Sequence, residues 1–195
     1  MKRSAGITVL LVLVAVAMLA GCGAGGPKMI RAEQDLKPGP DAALIVFVRP
    51  NPVSFGGRFQ LWDRDKFIGF LDELCSVSYR AKPGEHMFMV RAENWEIVKG
   101  RVSAGKTYYI ELDPRVGVGA YTPYTRSNTR VVVSVVEPTD KRVAEWKMRL
   151  RPLEMDDPDK GEAFAKKNAR HVAKAIESVE SGKYSTIPLN PSQGK

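Results

Sequence analysis

The sequence predicts a mainly β protein, an antiparallel β-sandwich with a C-terminal helical appendage, and three observations predict it. Between Ala42 and about Val136, short apolar or alternating runs are separated by turn residues. No helix-length segment interrupts those runs to connect parallel strands. Beyond Pro138 the apolar period lengthens to that of a helix. Composition fits one such domain: 195 residues, 44% hydrophobic and 27% charged, with two cysteines. This excludes a disulfide-stapled mini-protein, a long disordered chain and a polytopic membrane protein.

The first element is a targeting segment. Met1-Lys2-Arg3 is basic, and residues 5–20 form an uncharged apolar run, somewhat short for a membrane span. Leu19-Ala20-Gly21-Cys22 follows directly and resembles the bacterial lipoprotein box: an aliphatic residue, two small residues, and the cysteine that receives the lipid. The resemblance implies a signal peptide over residues 1–21, and diacylglycerol and an N-acyl lipid on Cys22, with no other cofactor. Two or three acyl chains hold a protein firmly where one is marginal. With Gly23 rather than Asp after the cysteine, the implied location is the bacterial envelope. In a Gram-negative cell this is the outer membrane facing the periplasm, and in a Gram-positive cell the outer face of the cytoplasmic membrane.

Cleavage before Cys22 leaves 174 residues and lowers the net charge from +8 to +6. The remaining surplus is scattered, so it reads as the surface of a soluble module and not as a nucleic-acid site. Cys75 then has no partner for an intramolecular disulfide and reads as a buried small hydrophobe.

Residues 22–41 are rich in Gly and end in Lys37-Pro38-Gly39-Pro40, the composition of a flexible tether. A sandwich domain over residues 42–137 follows. Ala43–Val48 is apolar at every position and predicts a central strand. Strands Phe59–Trp62 and Lys66–Leu71 flank an Asp63-Arg64-Asp65 turn. Leu74–Ala81 leads into the turn Lys82-Pro83-Gly84-Glu85, with Pro and Gly where a type II turn favours them. His86–Glu93, Ile97–Val102, Lys106–Asp113 and Arg130–Val136 complete eight strands, with Tyr108, Ile110 and Leu112 sharing one face.

Residues 138–182 predict the helical appendage. Val143, Trp146 and Leu150 fall at helical spacing in Thr139–Leu150. After a break at Pro152–Pro158, Asp159-Lys160-Gly161-Glu162 reads as a capping box. Phe164, Val172, Ala175, Ile176 and Val179 form the apolar stripe of a second helix, which Gly182 stops. Its polar face holds Lys160, Lys166, Lys167, Arg170 and Lys174, which suits anionic headgroups. The stripe is rich in alanine with one aromatic residue, which favours packing on the sandwich. Residues 183–195 read as an extended or disordered tail.

Ala43–Pro50, the Pro83-Gly84-Glu85-His86 turn and Ala104–Ile110 together resemble the bacterial lipoprotein module known as domain of unknown function 2846. In that family an Arg-Pro ends the first strand, and related Pro-Gly and Ala-Gly-Lys-Thr-Tyr-Tyr motifs mark later hairpins. The pattern is similar to PEGA modules and other transthyretin-like or carboxypeptidase-regulatory-like sandwiches. Glu85 departs from it, standing where a basic or polar residue is usual. The resemblance implies a fold and a location, and no catalytic residues.

Chemistry-bearing motifs are sparse. His86 and His171 are the two histidines, far apart and without a cysteine or third histidine beside them, so no metal site is predicted. No nucleophile elbow occurs. The acidic run Glu154–Asp159 lacks the ligand spacing of a calcium loop. The strongest binding candidate is the long connection Arg115–Asn128, which carries Arg115, Tyr121, Tyr124 and Arg126 among glycines. Aromatic and arginine side chains on a long loop are typical of protein recognition. The reading is a lipid-anchored, non-enzymatic envelope lipoprotein. It acts as a structural or protein-binding module, with a membrane and an envelope protein as partners and no nucleic acid. The alternative is a periplasmic glycan-binding accessory or hydrolase using a cleft between sandwich and helices.

Overall fold

The computed structural model describes residues 26–33, 36–52, 57–116 and 129–195. Strands account for 46% of the structure against 23% for helices, so the chain is mainly β. Among the described residues eleven strands lie in two sheets. They are β1 (Met29–Arg31), β2 (Ala43–Arg49), β3 (Phe59–Asp63), β4 (Lys66–Leu71), β5 (Cys75–Ala81), β6 (Gly84–Arg91), β7 (Trp95–Val102), β8 (Thr107–Val116), β9 (Thr129–Val136), β10 (Arg151–Met155) and β11 (Ile187–Leu189). One sheet runs in the order β1-β10-β5-β2-β8-β9 and the other β11-β7-β6-β3-β4. Helix α1 (Lys141–Arg149) precedes β10, and helix α2 (Pro158–Glu180) follows it.

The sheets are mixed, which corrects the antiparallel expectation. β2 pairs with β8 in parallel, as do β10 with β5 and β11 with β7. A helix is one way to return a chain for parallel pairing, and the other sheet is a second. Between β2 and β8 the chain crosses to the second sheet for β3 and β4, back for β5, and out again for β6 and β7. The Ala104-Gly105 turn thus carries the chain from one sheet to the other and closes no hairpin, with Gly105 at φ 72°.

Each layer follows from the side-chain parity of its strands. Ala43, Ile45 and Phe47 on β2 face the space between the sheets, where they meet Phe59, Leu61, Phe88, Val90, Tyr108 and Ile110. Leu44, Val46 and Val48 point the other way, under Val143, Trp146 and Leu150 of α1 and its end. A strand covered on both faces has to be apolar throughout. On the second sheet, Trp62, Phe67, Met87, Met89 and Ile97 face outward and are covered by Val172, Val179 and Phe164 of α2. The helices therefore lie on opposite outer faces and form no common appendage, giving four layers, α1, sheet, sheet, α2. Cys75 is buried in the inter-sheet core, and burial pushes its thiol up.

Three short strands lie where the sequence predicts none. β1 falls within the expected tether, β10 within the expected break between helices, and β11 within the expected tail. The tail is held because Lys106 Nζ donates to the carbonyls of Pro191 (3.0 Å) and Gly194 (3.2 Å), while Thr107 and Lys195 exchange backbone bonds. Gly100 admits β11: any Cβ there would collide with the Leu189 carbonyl. The N-terminal chain is held equally early. Pro27 is buried, and a Cβ on Gly26 would stand 2.7 Å from the Phe70 ring and 3.0 Å from Phe164. The cap of α2 is Asp157, not Asp159. Its carboxylate accepts from the amides of Asp159 and Lys160, because Pro158 takes the first helical position, where no N–H is needed.

Candidate functional site

The sequence places its site residues at Cys22 and on the long connection. Cys22, Tyr121, Tyr124 and Arg126 lie outside the described residues. Arg115 is described: it projects from β8, is exposed, and pairs with Asp113 on the same strand face at 2.6 Å. Asp113 also accepts from Asn51. These groups stand at the end of the sandwich where buried Arg49 closes the core. The Arg49 guanidinium sits 4.3 Å over the Phe59 ring and donates to the Gly57 carbonyl at 2.7 Å. Burial lowers the pKa of Arg49, with Glu73 and Asp72 opposing that shift.

The opposite end is closed by a polar cluster that sequence reading did not assemble. His86 Nδ1 lies 2.8 Å from Asp63 Oδ2, and His86 Nε2 lies 2.7 Å from the Lys82 carbonyl. Tyr79 on the other sheet donates to the same Asp63 oxygen at 3.1 Å. The imidazole stacks on Phe88, with ring planes 4° apart. Register explains the meeting. Asp63 pairs with Phe88 across β3 and β6, so His86 is its diagonal neighbour on the same face. The signal was present in the parity of Phe59, Leu61 and Asp63 and of His86, Phe88 and Val90: an acid and a histidine both point inward at strand ends.

Both ring nitrogens of His86 face acceptors, so only the imidazolium satisfies both bonds. The hydrogen bond to Asp63 accordingly raises the His86 pKa, against the opposing effect of burial. Burial and the neighbouring carboxylate push the Tyr79 hydroxyl up in turn. A histidine pKa raised by folding contributes stability that is complete below its ordinary value and is lost as pH rises through the folded value. The urea midpoint should therefore fall as pH rises above the ordinary histidine value of about 6.5 and through the raised value of the folded protein. His86→Gln should flatten that slope, and an equal slope in the variant would show that other groups cause it. The cluster knits the two sheets together and is nearly sealed from solvent, with side chains 11% exposed at Asp63 and 14% at His86.

A groove of about 980 Å³ lies between α2 and the β3–β4 turn, a size suited to binding. Its floor is apolar, made by Phe67, Ala165, Ala169, Val172 and Ile176. Its rim mixes Arg64, Lys66 and Lys166 with Glu162, Glu177 and Glu180. Arg64 reaches Glu180 at 3.2 Å and straps one end, a half-exposed pair that stabilises by no more than about 1 kcal/mol. Two local features build the groove. Asp63-Arg64-Asp65-Lys66 makes a tight turn with Arg64 at φ 52°, and Arg64 reaches from it to Glu180 on the helix. Small residues at 161, 165, 169 and 173 keep one flank of α2 low. The sequence shows the core stripe and the basic polar face of α2, whereas this flank of small residues lies between them.

The groove lining holds no Ser, Thr, Cys, His or Tyr. Among the described residues no group of three or more His, Cys, Asp or Glu is placed to hold a metal, and no helix is long and apolar enough to cross a membrane. No protein-family model matches the chain, and no curated protein or solved structure matches it.

Proposed function

We propose that this is a lipid-anchored envelope lipoprotein acting as a non-enzymatic, protein-binding module, with the groove beside α2 as its binding surface. The observation that carries this reading is the groove itself, an apolar floor along a helix bounded by charges of both signs. That pattern suits an amphipathic segment of another envelope protein, whose apolar side would meet the floor and whose charges would meet the rim. The lipoprotein part rests on residues 1–22, and the family resemblance on the turn and strand motifs alone. A glycan-binding or hydrolytic reading would use this same cleft. Against glycan binding stands a lining with a single aromatic ring among its described residues, Phe67, for a sugar to stack on, and against a serine-, thiol- or histidine-dependent hydrolase stands the lack of those groups in it.

The test is site-specific photo-crosslinking in cells. A photoreactive residue at Ala173, on the groove, should give a discrete adduct with an envelope protein, whereas one at Met148 on α1, 82% exposed, should not. Ala169→Glu puts a charge on the floor at an exposed position and should reduce that adduct at least about tenfold, the loss expected for burying an unpaired charge in an apolar contact. An adduct that survives Ala169→Glu, or none from position 173, overturns the assignment of the groove.

A further inference from the structure

We infer that the outward face of α2 lies against the bilayer and that its cations bind anionic phospholipid headgroups, so the lipid on Cys22 and this helix hold the protein in one orientation. The inference rests on the lipid-anchored reading above and adds a surface to it. Three independent observations converge. First, the chain is fixed to the body from Gly26 onward, packed on Phe70 and Phe164. Three residues lie between Gly26 and Cys22, and four steps of at most about 3.5 Å each keep Cys22 within about 14 Å of Gly26, which packs on the flank of α2. The expected twenty-residue tether is thus reduced to its first few residues, too few to lift this side of the molecule away from the membrane.

Second, Phe164 marks which flank the chain leaves from. Lys160, Lys167 and His171 share that flank at helical spacings of four before and three and seven after Phe164. All three are exposed. Third, the middle of α2 is one-signed. Lys166, Lys167, Arg170 and Lys174 are exposed, and no acidic residue stands between Lys166 and Lys174. The ion pairs of α2 among the described residues use its ends, Lys160 with Asp157 and Glu180 with Arg64. Lys166, Arg170 and Lys174 follow one another at i, i+4, where like charges repel along an isolated helix. On α1, at the other pole of the molecule, Arg142 is paired with Glu111 and Asp140, and Arg149 with Glu145. Lys141 and Lys147 of α1 are exposed and in no ion pair among the described residues, but Glu145 stands between them. The one-signed run from Lys166 to Lys174 therefore lies on the pole to which the lipidated residue is tied, and each Lys or Arg at an anionic surface adds attraction. The apolar stripe of α2 is committed to the second sheet, so the helix meets headgroups by charge and does not insert.

The experiment uses the full-length lipidated protein in vesicles of phosphatidylethanolamine and phosphatidylglycerol that contain headgroup-spin-labelled lipid. A fluorophore is attached through Ala163→Cys on the outward face of α2 or through Met148→Cys on α1. The α2 probe should be quenched at least about threefold more than the α1 probe. That ratio should fall by about half or more in 1 M salt, where the Debye length shrinks to about 3 Å. The same loss is expected in phosphatidylcholine vesicles and in the K166Q/K167Q/R170Q/K174Q variant. Equal quenching of the two probes, or a ratio indifferent to salt and to those substitutions, overturns the orientation. Flotation of the same vesicles separates the two claims. Protein that fails to float overturns the anchor and this inference with it, whereas protein that floats without selective quenching overturns the orientation alone.

Discussion

Replacing Cys22 by alanine is expected to abolish palmitate labelling and, when residues 1–21 are exchanged for a secretory signal that is cleaved without lipid, to move the protein quantitatively from the membrane to the soluble fraction. The size of the effect follows from chain arithmetic. Each buried methylene contributes about 0.8 kcal/mol, so two or three acyl chains hold a protein essentially irreversibly. The described residues include no helix able to cross a membrane. The cations of α2 attract headgroups but bury no apolar side chain in the bilayer, and salt screens them. Electrostatics alone should therefore leave the Cys22→Ala protein extractable by salt. Labelling that persists, or membrane retention through a salt wash once residues 1–21 are removed, would overturn the lipoprotein reading.

Replacing Trp62 by alanine is expected to cost about 3–5 kcal/mol and to lower Tm by on the order of 10 °C. Trp62 is fully buried and sits between the second sheet and α2. Its ring meets Phe67 edge-on at 4.9 Å and stacks on Phe164 at 6.1 Å, and its Nε1 donates to Gln60 Oε1 at 3.3 Å. Phe164 in turn packs on Phe67 and Phe70. Removing the indole leaves a cavity under the helix, which the neighbouring rings fill only in part. Trp62→Phe keeps most of the ring contact and should cost less than half as much. Urea titration checks both, and hydrogen exchange along α2 separates loosening of the helix from global loss. Equal costs for the two variants would mean that indole packing is not what holds α2 down.

The eight strands between Ala43 and Val136 were legible because each carries its own signal, an alternation or an apolar run closed by turn residues. α1 and α2 were legible through Val143, Trp146 and Leu150 and through Val172, Ala175 and Val179, whose spacing decides which side is buried. The strands β1, β10 and β11 were not. They have three to five residues each, too few for a period to show, and exist through pairing with distant partners such as Met29 with Met155 and Leu189 with Gly100. Parallel pairing of β2 with β8 escaped for a related reason: local turn chemistry reports where a chain reverses, not which sheet receives it. The cap lies two residues before the capping box because Asp157 and Asp159 are both residues that cap helices, and Pro158 at the first helical position decides for Asp157 although only Asp159 has a glutamate three residues on.

For the candidate site the division is sharper. The basic character of α2 could be read directly, since charge pattern is local. The groove could not, because it needs the β3–β4 turn brought beside a low flank of the helix. Asp63, Tyr79 and His86 were likewise unremarkable one by one, and register made them a cluster.

The order of strands also bears on how the molecule is made. The centre of the first sheet needs Leu44 beside Thr107, and its edge needs Met29 beside Met155. Neither pairing can form until most of the polypeptide is available, and closing such long loops makes folding slow. Inside a cell, slow folding exposes strand edges to aggregation. For a polypeptide threaded unfolded through a translocation channel, as the lipoprotein reading requires, the same delay helps. A chain whose first strand must wait for its tenth has no premature core to jam the channel, and it completes its structure only after release on the far side.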